Sequence, residues 1–403
     1  MKRSFLRAAL CLSLVGTLTS VAVSCSNRDD EETTTSTNAS NIDPNNFQGK
    51  ISSGTTVTLD ATKTYQLNGK LLVENGATLI IPAGTKIVAA QGANYLIVDR
   101  GGKVFMNGTS AQPIVFEGSE NKQGHWGGIV ILGNAPTNRS ASGTSTSELG
   151  DMVYGGTQTN DNSGVMQYVV IKNSGFKYNP EKEFNGLSLF GVGSGTTISH
   201  IFITDGADDG IEFFGGNVNV DHLVITGMGD DTIDWTEGWV GTAEYLYAAR
   251  KKQYATTAEP GNRGIEADTQ DTDPNTTFGN GASNPTLKHV TLIGNSKGSE
   301  SQAMKLRAGT QGKFENMVLS NFNVGLDFET DRTYAWFESG SYIKNVKFEN
   351  ITTQWKAKTA GKDLSNVFTV NNNATGAGNG TDLPTWAKNW TGMNTFNPTE
   401  AGN

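Results

Sequence analysis

The sequence predicts an all-β solenoid, a right-handed parallel β-helix with loop inserts and terminal caps. Three observations carry this. Short alternating strands recur every 22 residues. Gly and Asn break the chain every few residues, with 49 Gly in 403. The intervals between strands are too short for helical crossovers, which excludes a doubly wound sheet, and propeller blades repeat at roughly 40 residues or more.

Lys2, Arg3 and Arg7 precede an apolar run from Ala8 to about Val23. That run is shorter than the ~20 apolar residues of a spanning helix and has the flanks of an export signal. Ala22, Val23 and Ser24 lead into Cys25. A small-residue stretch ending in Cys resembles the lipobox of bacterial lipoproteins, which implies a signal peptide over 1–24 and a lipid anchor on Cys25. The alternative is an ordinary cleaved signal followed by a chance Cys. Cys11 is the other cysteine, so the exported body has no disulfide and must hold by packing and backbone pairing.

Residues 25–46 read as a flexible tether, because Ser26-Asn27-Arg28-Asp29-Asp30-Glu31-Glu32 and the Thr/Ser/Asn tract after it cannot bury enough apolar surface to order themselves. The acidic cluster resembles the surface-export signal of Bacteroidetes lipoproteins, which implies an outer-membrane, surface-exposed location. A solvated linker facing the periplasm is the other reading. Net charge is −9, and removing the three cations of the signal makes it −12. Such a surface argues against nucleic acid and suits neutral glycans, cations, or acidic glycans bridged by Ca²⁺.

The β-helix is expected over 47–375. One line of the repeat holds Leu187-Ser188-Leu189, Ile211-Glu212-Phe213, Ile233-Asp234-Trp235, Ile265-Glu266-Ala267, Met304-Lys305-Leu306 and Leu326-Asp327-Phe328. Ile211 and Ile233 are 22 apart, as are Met304 and Leu326; the longer steps carry Gly/Asn/Asp-rich inserts. Period-two alternation should stack Ile211, Ile233, Ile265, Met304 and Leu326 inside. A second line runs from His200-Ile201-Phe202-Ile203 to His222-Leu223-Val224-Ile225, with Glu244-Tyr245-Leu246-Tyr247 set 22 further on. By alternation Tyr245 and Tyr247 belong to the core. His200, His222 and His289 share a column with Asn316 and Asn345, which reads as a ladder of bends and not as a metal site. About a dozen coils at ~4.8 Å each would make a rod on the order of 60 Å. Open sheet ends invite pairing, so Asn46–Gln66 is expected as a cap and the segment 376–403 as a cap or a tail, the second with Trp386 and Trp390 on one side of a short helix.

Gly76-Ala77-Thr78-Leu79-Ile80-Ile81-Pro82-Ala83-Gly84-Thr85 and His125-Trp126-Gly127-Gly128-Ile129 resemble the pectin-lyase-like β-helix superfamily, and more narrowly Bacteroidetes surface lipoproteins of that fold. The resemblance covers roughly 50–355. It implies the fold; the activity is open, because this architecture hosts lyases, hydrolases, esterases and binding proteins. Val220-Asp221-His222 is similar to the Ile-Asp-His strand of pectate lyases and Asp231-Thr232-Ile233-Asp234 to their Asp-Gly-x-x-Asp coil. Gly229-Asp230-Asp231 is similar to the Gly-Asp-Asp of polygalacturonases. The lyase Arg-x-Pro-x-x-Arg and the polygalacturonase Gly-His-Gly are absent.

If alternation holds, Ser188, Glu212, Asp234, Glu266, Lys305 and Asp327 form one outward column, and Phe190, Phe214, Thr236, Asp268, Arg307 and Glu329 a second. Candidate catalytic residues are Asp209, Asp231 and Asp234, with Lys305 or Arg307 as base. Glu212, Glu266 and the aromatics Trp239 and Trp336 are candidate glycan contacts. Asp208, Asp230, Asp268, Asp271 and Asp273 are candidate Ca²⁺ ligands, since stacked carboxylates repel and a hard cation offsets that. Aspartates at the start of a strand are also ordinary turn chemistry. The reading is a non-enzymatic surface lipoprotein binding a glycan or other cell-surface component along one face. Against it stand a Ca²⁺-dependent polysaccharide lyase or glycoside hydrolase, and an accessory lipoprotein of an outer-membrane transporter.

Overall fold

The structure, a computed structural model, describes residues 36–38, 42–149, 152–179, 182–251, 263–274, 277–295 and 301–396. The expected export signal over 1–24 and Cys25 lie outside the described residues. Two long parallel sheets, of 15 and 11 strands, carry the coils, each coil contributing to both. The alternation read from the sequence sets their register. Leu187, Ile211, Ile233, Ile265, Met304 and Leu326 are successive partners in the second sheet and all are buried. Each such side chain contributes about 1.5–3 kcal/mol by leaving water. The arrangement is that of the right-handed parallel β-helix.

The coils are not uniform. Early coils place two strands in the first sheet, such as Thr78–Pro82 and Lys86–Ala89, joined by the turn at Gly84. Strand Gly164–Lys172 pairs with Lys103–Asn107 through its first half and with Ile114–Gly118 through its second. From there on one eight- or nine-residue strand does the work of two, bent at a single residue of positive φ. Those residues are Tyr168, His200, His222, Tyr245, His289, Asn316 and Asn345, with φ between 50° and 59°. The histidine column is therefore a ladder of left-handed bends, in agreement with the sequence.

The bend also resets the alternation. Tyr245 sits at it and stacks between His222 and His289, and Tyr247 points away from the inner core. Tyr245 is thus not the core residue that alternation suggested, whereas Tyr247 is buried, in the cluster on the outer side of the first sheet. The step into this coil is 23, not 22, because Leu223 pairs with Leu246; the turn between Thr236 and Thr242 holds one extra residue.

At the N-terminal end Phe47 packs on Tyr65, their centroids 5.2 Å apart, and closes the core. Ser36–Asn38, expected in the tether, instead pairs in parallel with Thr56–Thr58, whose edge would otherwise be open. Near the other end the helix Asp331–Ser339, capped by Thr330, inserts between strands of different sheets and packs Tyr334 and Phe337 on Phe328. No described helix is long and apolar enough to cross a membrane. The segment after residue 370 is not an end cap. It runs along the outside of the first sheet, where Ala377, Leu383, Ala387, Trp390 and Phe396 cover Val170, Phe202, Val224, Tyr247 and Ile293. Those outward side chains are apolar, so leaving them wet would cost more than ordering the strap. Trp386 and Trp390 meet the bend ladder edge-on, against His222 and Tyr168 respectively.

Candidate functional site

The second sheet holds its outward column in register: Ser188, Glu212, Asp234, Glu266, Lys305 and Asp327 are successive partners, with Lys356 beyond. Just before these strands the chain passes the paired acids Asp208-Asp209 and Asp230-Asp231. Gly229 allows these two turns to stack closely: a Cβ there would lie 2.0 Å from the Ala207 carbonyl oxygen. The Asp231 N–H then donates to Asp209 Oδ1 at 2.8 Å.

The column is neither solvated nor splayed. Asp231 is 2% exposed, and Arg263 reaches its Oδ2 at 2.7 Å and Glu266 Oε1 at 3.1 Å. Glu266 is a hub, with Arg307 at 3.3 Å and Lys305 at 3.5 Å from the same oxygen. Arg307 also pairs with Asp268 at 3.1 Å. Lys356 sits 2.9 Å from Asp327, and Asn185 donates to Glu212 at 2.6 Å. Carboxylates still outnumber the cations here. Buried Oδ1 atoms of Asp230, Asp231, Asp234 and Asp268 have no hydrogen-bond partner among the described residues.

The electrostatics follow. Burial first, then the charge of neighbouring carboxylates, pushes Asp208, Asp209, Glu212 and Asp234 well above the usual carboxylate range. Burial lifts Asp230 to about 6 against the opposing pull of Arg263. It lifts Asp231 to about 7, with Asp230 adding to the rise, and Asp268 to about 6 against Thr236 and Arg307. Burial opposes the charge on Arg263, but Asp231 and Glu266 hold its pKa above the ordinary value. Perturbed groups gathered in this way mark a site.

A family model described as the pectate-lyase-like β-helix domain matches residues 49–391. The chain belongs to this family. Neither the curated proteins nor the solved structures yield a match. A pectate-lyase-like β-helix fixes the scaffold and leaves the chemistry to the side chains.

Of the residues singled out in the sequence, this β-helix brings together Asp208, Asp209, Asp230, Asp231, Asp234, Glu212 and Glu266. One ligand oxygen from each of Asp208, Asp209 and Asp230 lies within 4.8 Å of the others. Asp271 and Asp273 do not join them, because each faces an arginine elsewhere, Arg139 and Arg332, whereas Asp268 shares Arg307 with Glu266 and helps raise the pKa of Asp234. Trp239 is not a surface contact. It is fully buried, stacks 3.9 Å from Phe213 and donates its indole N–H to Val218. The turn at Gly238, φ 83°, directs it inward. Trp336 is 36% exposed, but it lines a separate depression with Arg332 and Gln311. Lys305 and Arg307 are tied up in the ion pairs above.

The Val220-Asp221-His222 piece lies in the first sheet, apart from the Asp231 coil in the second. His200, Asp221 and His222 offer three nearby ligand atoms, yet the two imidazoles stack at 4.4 Å and 6°. A nitrogen lone pair lies in its ring plane, so two parallel rings cannot aim at one ion. Sequence reasoning misses Arg263, Asn185, Glu148, Glu237 and Arg139. Glu148, Glu237 and Arg139 lie in inserts or turns, where no repeat flags them, whereas Asn185 and Arg263 hold the repeat position of Asp209 and Asp231 and are missed because the residue type there changes.

Proposed function

We propose that this protein is a lipid-anchored outer-membrane protein, exposed at the cell surface, that holds a glycan against the outer face of its second sheet, with Ca²⁺ taken up by Asp208, Asp209 and Asp230. One observation carries the reading: three carboxylates converge beside buried oxygens, on Asp230 and Asp231, that no described protein donor satisfies. Unpaired buried acceptors are costly, and a hard cation with six to eight oxygen ligands suits them. Three carboxylates would leave part of its coordination to water and to carbohydrate oxygens.

Binding is favoured over turnover. A base that abstracts a proton must be unprotonated, and the carboxylates around Arg307, foremost Glu266 and Asp268, raise its pKa further despite burial. Lys305 lies between Glu266 and Glu329. Asp231, the best-placed acid by pKa, is too buried to reach a glycosidic oxygen. Calorimetry of Ca²⁺ added to the wild type and to Asp209→Asn/Asp230→Asn tests the proposal, paired with retention and unsaturated-product assays on uronate polymers. Heat and retention in the wild type, both lost in the double variant and without cleavage, are expected. Absence of Ca²⁺ heat in the wild type rejects the cation, and product formation rejects a purely binding role.

A further inference from the structure

The second sheet ends at the strand Thr353–Ala357, and no described strand pairs with its far side. The segment after residue 370 runs along the first sheet and leaves this edge uncovered. Thr353, Gln354 and Lys356 are exposed. The Lys358 N–H donates to the Phe328 carbonyl, back toward the preceding strand. Backbone groups alternate in direction along a strand, so the N–H groups of Trp355 and Ala357 face the open side. Such a row of unpaired groups is a template for another strand.

The outward side chains say which strand fits. Two neighbouring columns alternate in sign as they approach the edge. One runs Glu266, Lys305, Asp327 and Lys356. The other, in the same register, runs Asp268, Arg307, Glu329 and Lys358. Successive rungs pair, with Arg307 3.1 Å from Asp268 and Lys356 2.9 Å from Asp327. Both columns stop on an exposed lysine. A hollow of about 250 Å³ beside Lys305, Glu329, Lys356 and Lys358 leaves room for acidic side chains. The inward residues Trp355 and Ala357 are only half-buried, so the next rung calls for apolar residues over them and acids over the lysines.

We infer that this edge docks an extended acidic segment of another polypeptide, with Asp or Glu at alternate positions and apolar residues between, added to the second sheet as one more strand and independent of any glycan the sheet holds. A second copy of this chain fits poorly. Its first strand in that sheet is Gly49–Ile51, where Lys50 heads the same column that Lys356 ends. Head-to-tail stacking would set lysine on lysine, and like charges repel. An anionic glycan would meet the lysines but has no row of amides to pair with the strand.

The probe is a fluorescein-labelled peptide with the sequence of residues 324–330, whose Asp327 and Glu329 already face Lys356 and Lys358 within the fold. Titrated with the full chain it should bind, and the same peptide with both acids replaced by lysine should not. Lys356→Glu/Lys358→Glu should weaken the acidic peptide tenfold or more and admit the lysine peptide. Ala357→Pro removes one N–H from the open side and leaves every charge in place, and it should weaken binding as much. Lys122→Glu, at an exposed lysine elsewhere, should change nothing. If one of the first two variants does not fold, the other decides. No binding up to about 1 mM peptide overturns the inference. So does binding that survives Ala357→Pro, which would report charge alone. Wild-type oligomers that Ala357→Pro dissolves would assign the edge to a second copy and overturn it as well.

Discussion

Replacing Arg263 by Met should expose how much the buried network depends on one cation. The variant keeps the length of the apolar stem and removes the contacts at 2.7 Å to Asp231 and 3.1 Å to Glu266. Glu266 retains Arg307 and Lys305, so the damage falls on Asp231. Lys50 and Glu74 form a pair of nearly the same length, 2.9 Å, but Lys50 is 63% exposed against 10% for Arg263. Two unit charges at 4 Å attract by about 1 kcal/mol in water and about 4 kcal/mol at the effective dielectric of a protein near its surface. Stranding a buried partner costs about 3–5 kcal/mol, while an exposed pair is worth about 0–1 kcal/mol. Asp231 can also relieve itself by taking a proton. Its carboxyl is raised to about 7, so the native state already holds that proton well below this pH and the ion pair contributes only when the pH is above it. Urea unfolding at pH 8 should therefore show Arg263→Met destabilised by about 3–5 kcal/mol and Lys50→Met by less than about 1. At pH 5.5 the Arg263→Met loss should fall below half. Equal losses at both pH values, or a loss at pH 8 no larger than that of Lys50→Met, would refute the reasoning.

Three further outcomes are expected. Ile233→Asp places a carboxylate between Ile211 and Ile265 in a dry column and should cost several kcal/mol by denaturant titration, whereas Ile233→Val should cost about 0.5–1.5. Burial raises Glu148 to about 7, against the opposing pull of Lys182, so its proton is held by the folded chain and the stability it provides is lost as pH climbs from about 4.5 to 7. Glu148→Gln should melt higher than wild type at pH 8 and equally at pH 4; a uniform shift at both would contradict this. Cys25→Ala should move the protein from the membrane fraction to the soluble one with its circular dichroism unchanged, and continued sedimentation with membranes would dismiss the lipid anchor.

The coils were legible because one physical rule, alternation on a stacked sheet, repeats at constant spacing. Ile211, Ile233 and Ile265 obey it, and so do the carboxylates between them. The rule fails where backbone geometry changes. At Tyr245 a left-handed residue resets which side chains face out, and at Trp239 a glycine turn sends a supposed surface ring into the core. The site was half legible for the same reason. Glu212 sits on a repeating strand and Asp208 and Asp230 just before one, while Arg263 breaks the acidic pattern of its own repeat position and Tyr154 comes from an insert on which no period acts. Nor could spacing show that Asp271 and Asp273 would each be claimed by a separate arginine.

The strap along the first sheet changes how the molecule can come apart. In a solenoid each coil touches only its neighbours, so stability is a sum of local terms and unfolding can fray from an end. Here Trp390 rests on Tyr168 and Trp386 on His222, contacts that join residues far apart in the chain. They cannot form until the segment that carries Trp386 and Trp390 has been made, and the loop they close makes them slow. Once made, they bind the middle coils into a unit that must open together. A linear array is thereby given the cooperativity of a globular domain, fastened by a segment that follows every coil it grips.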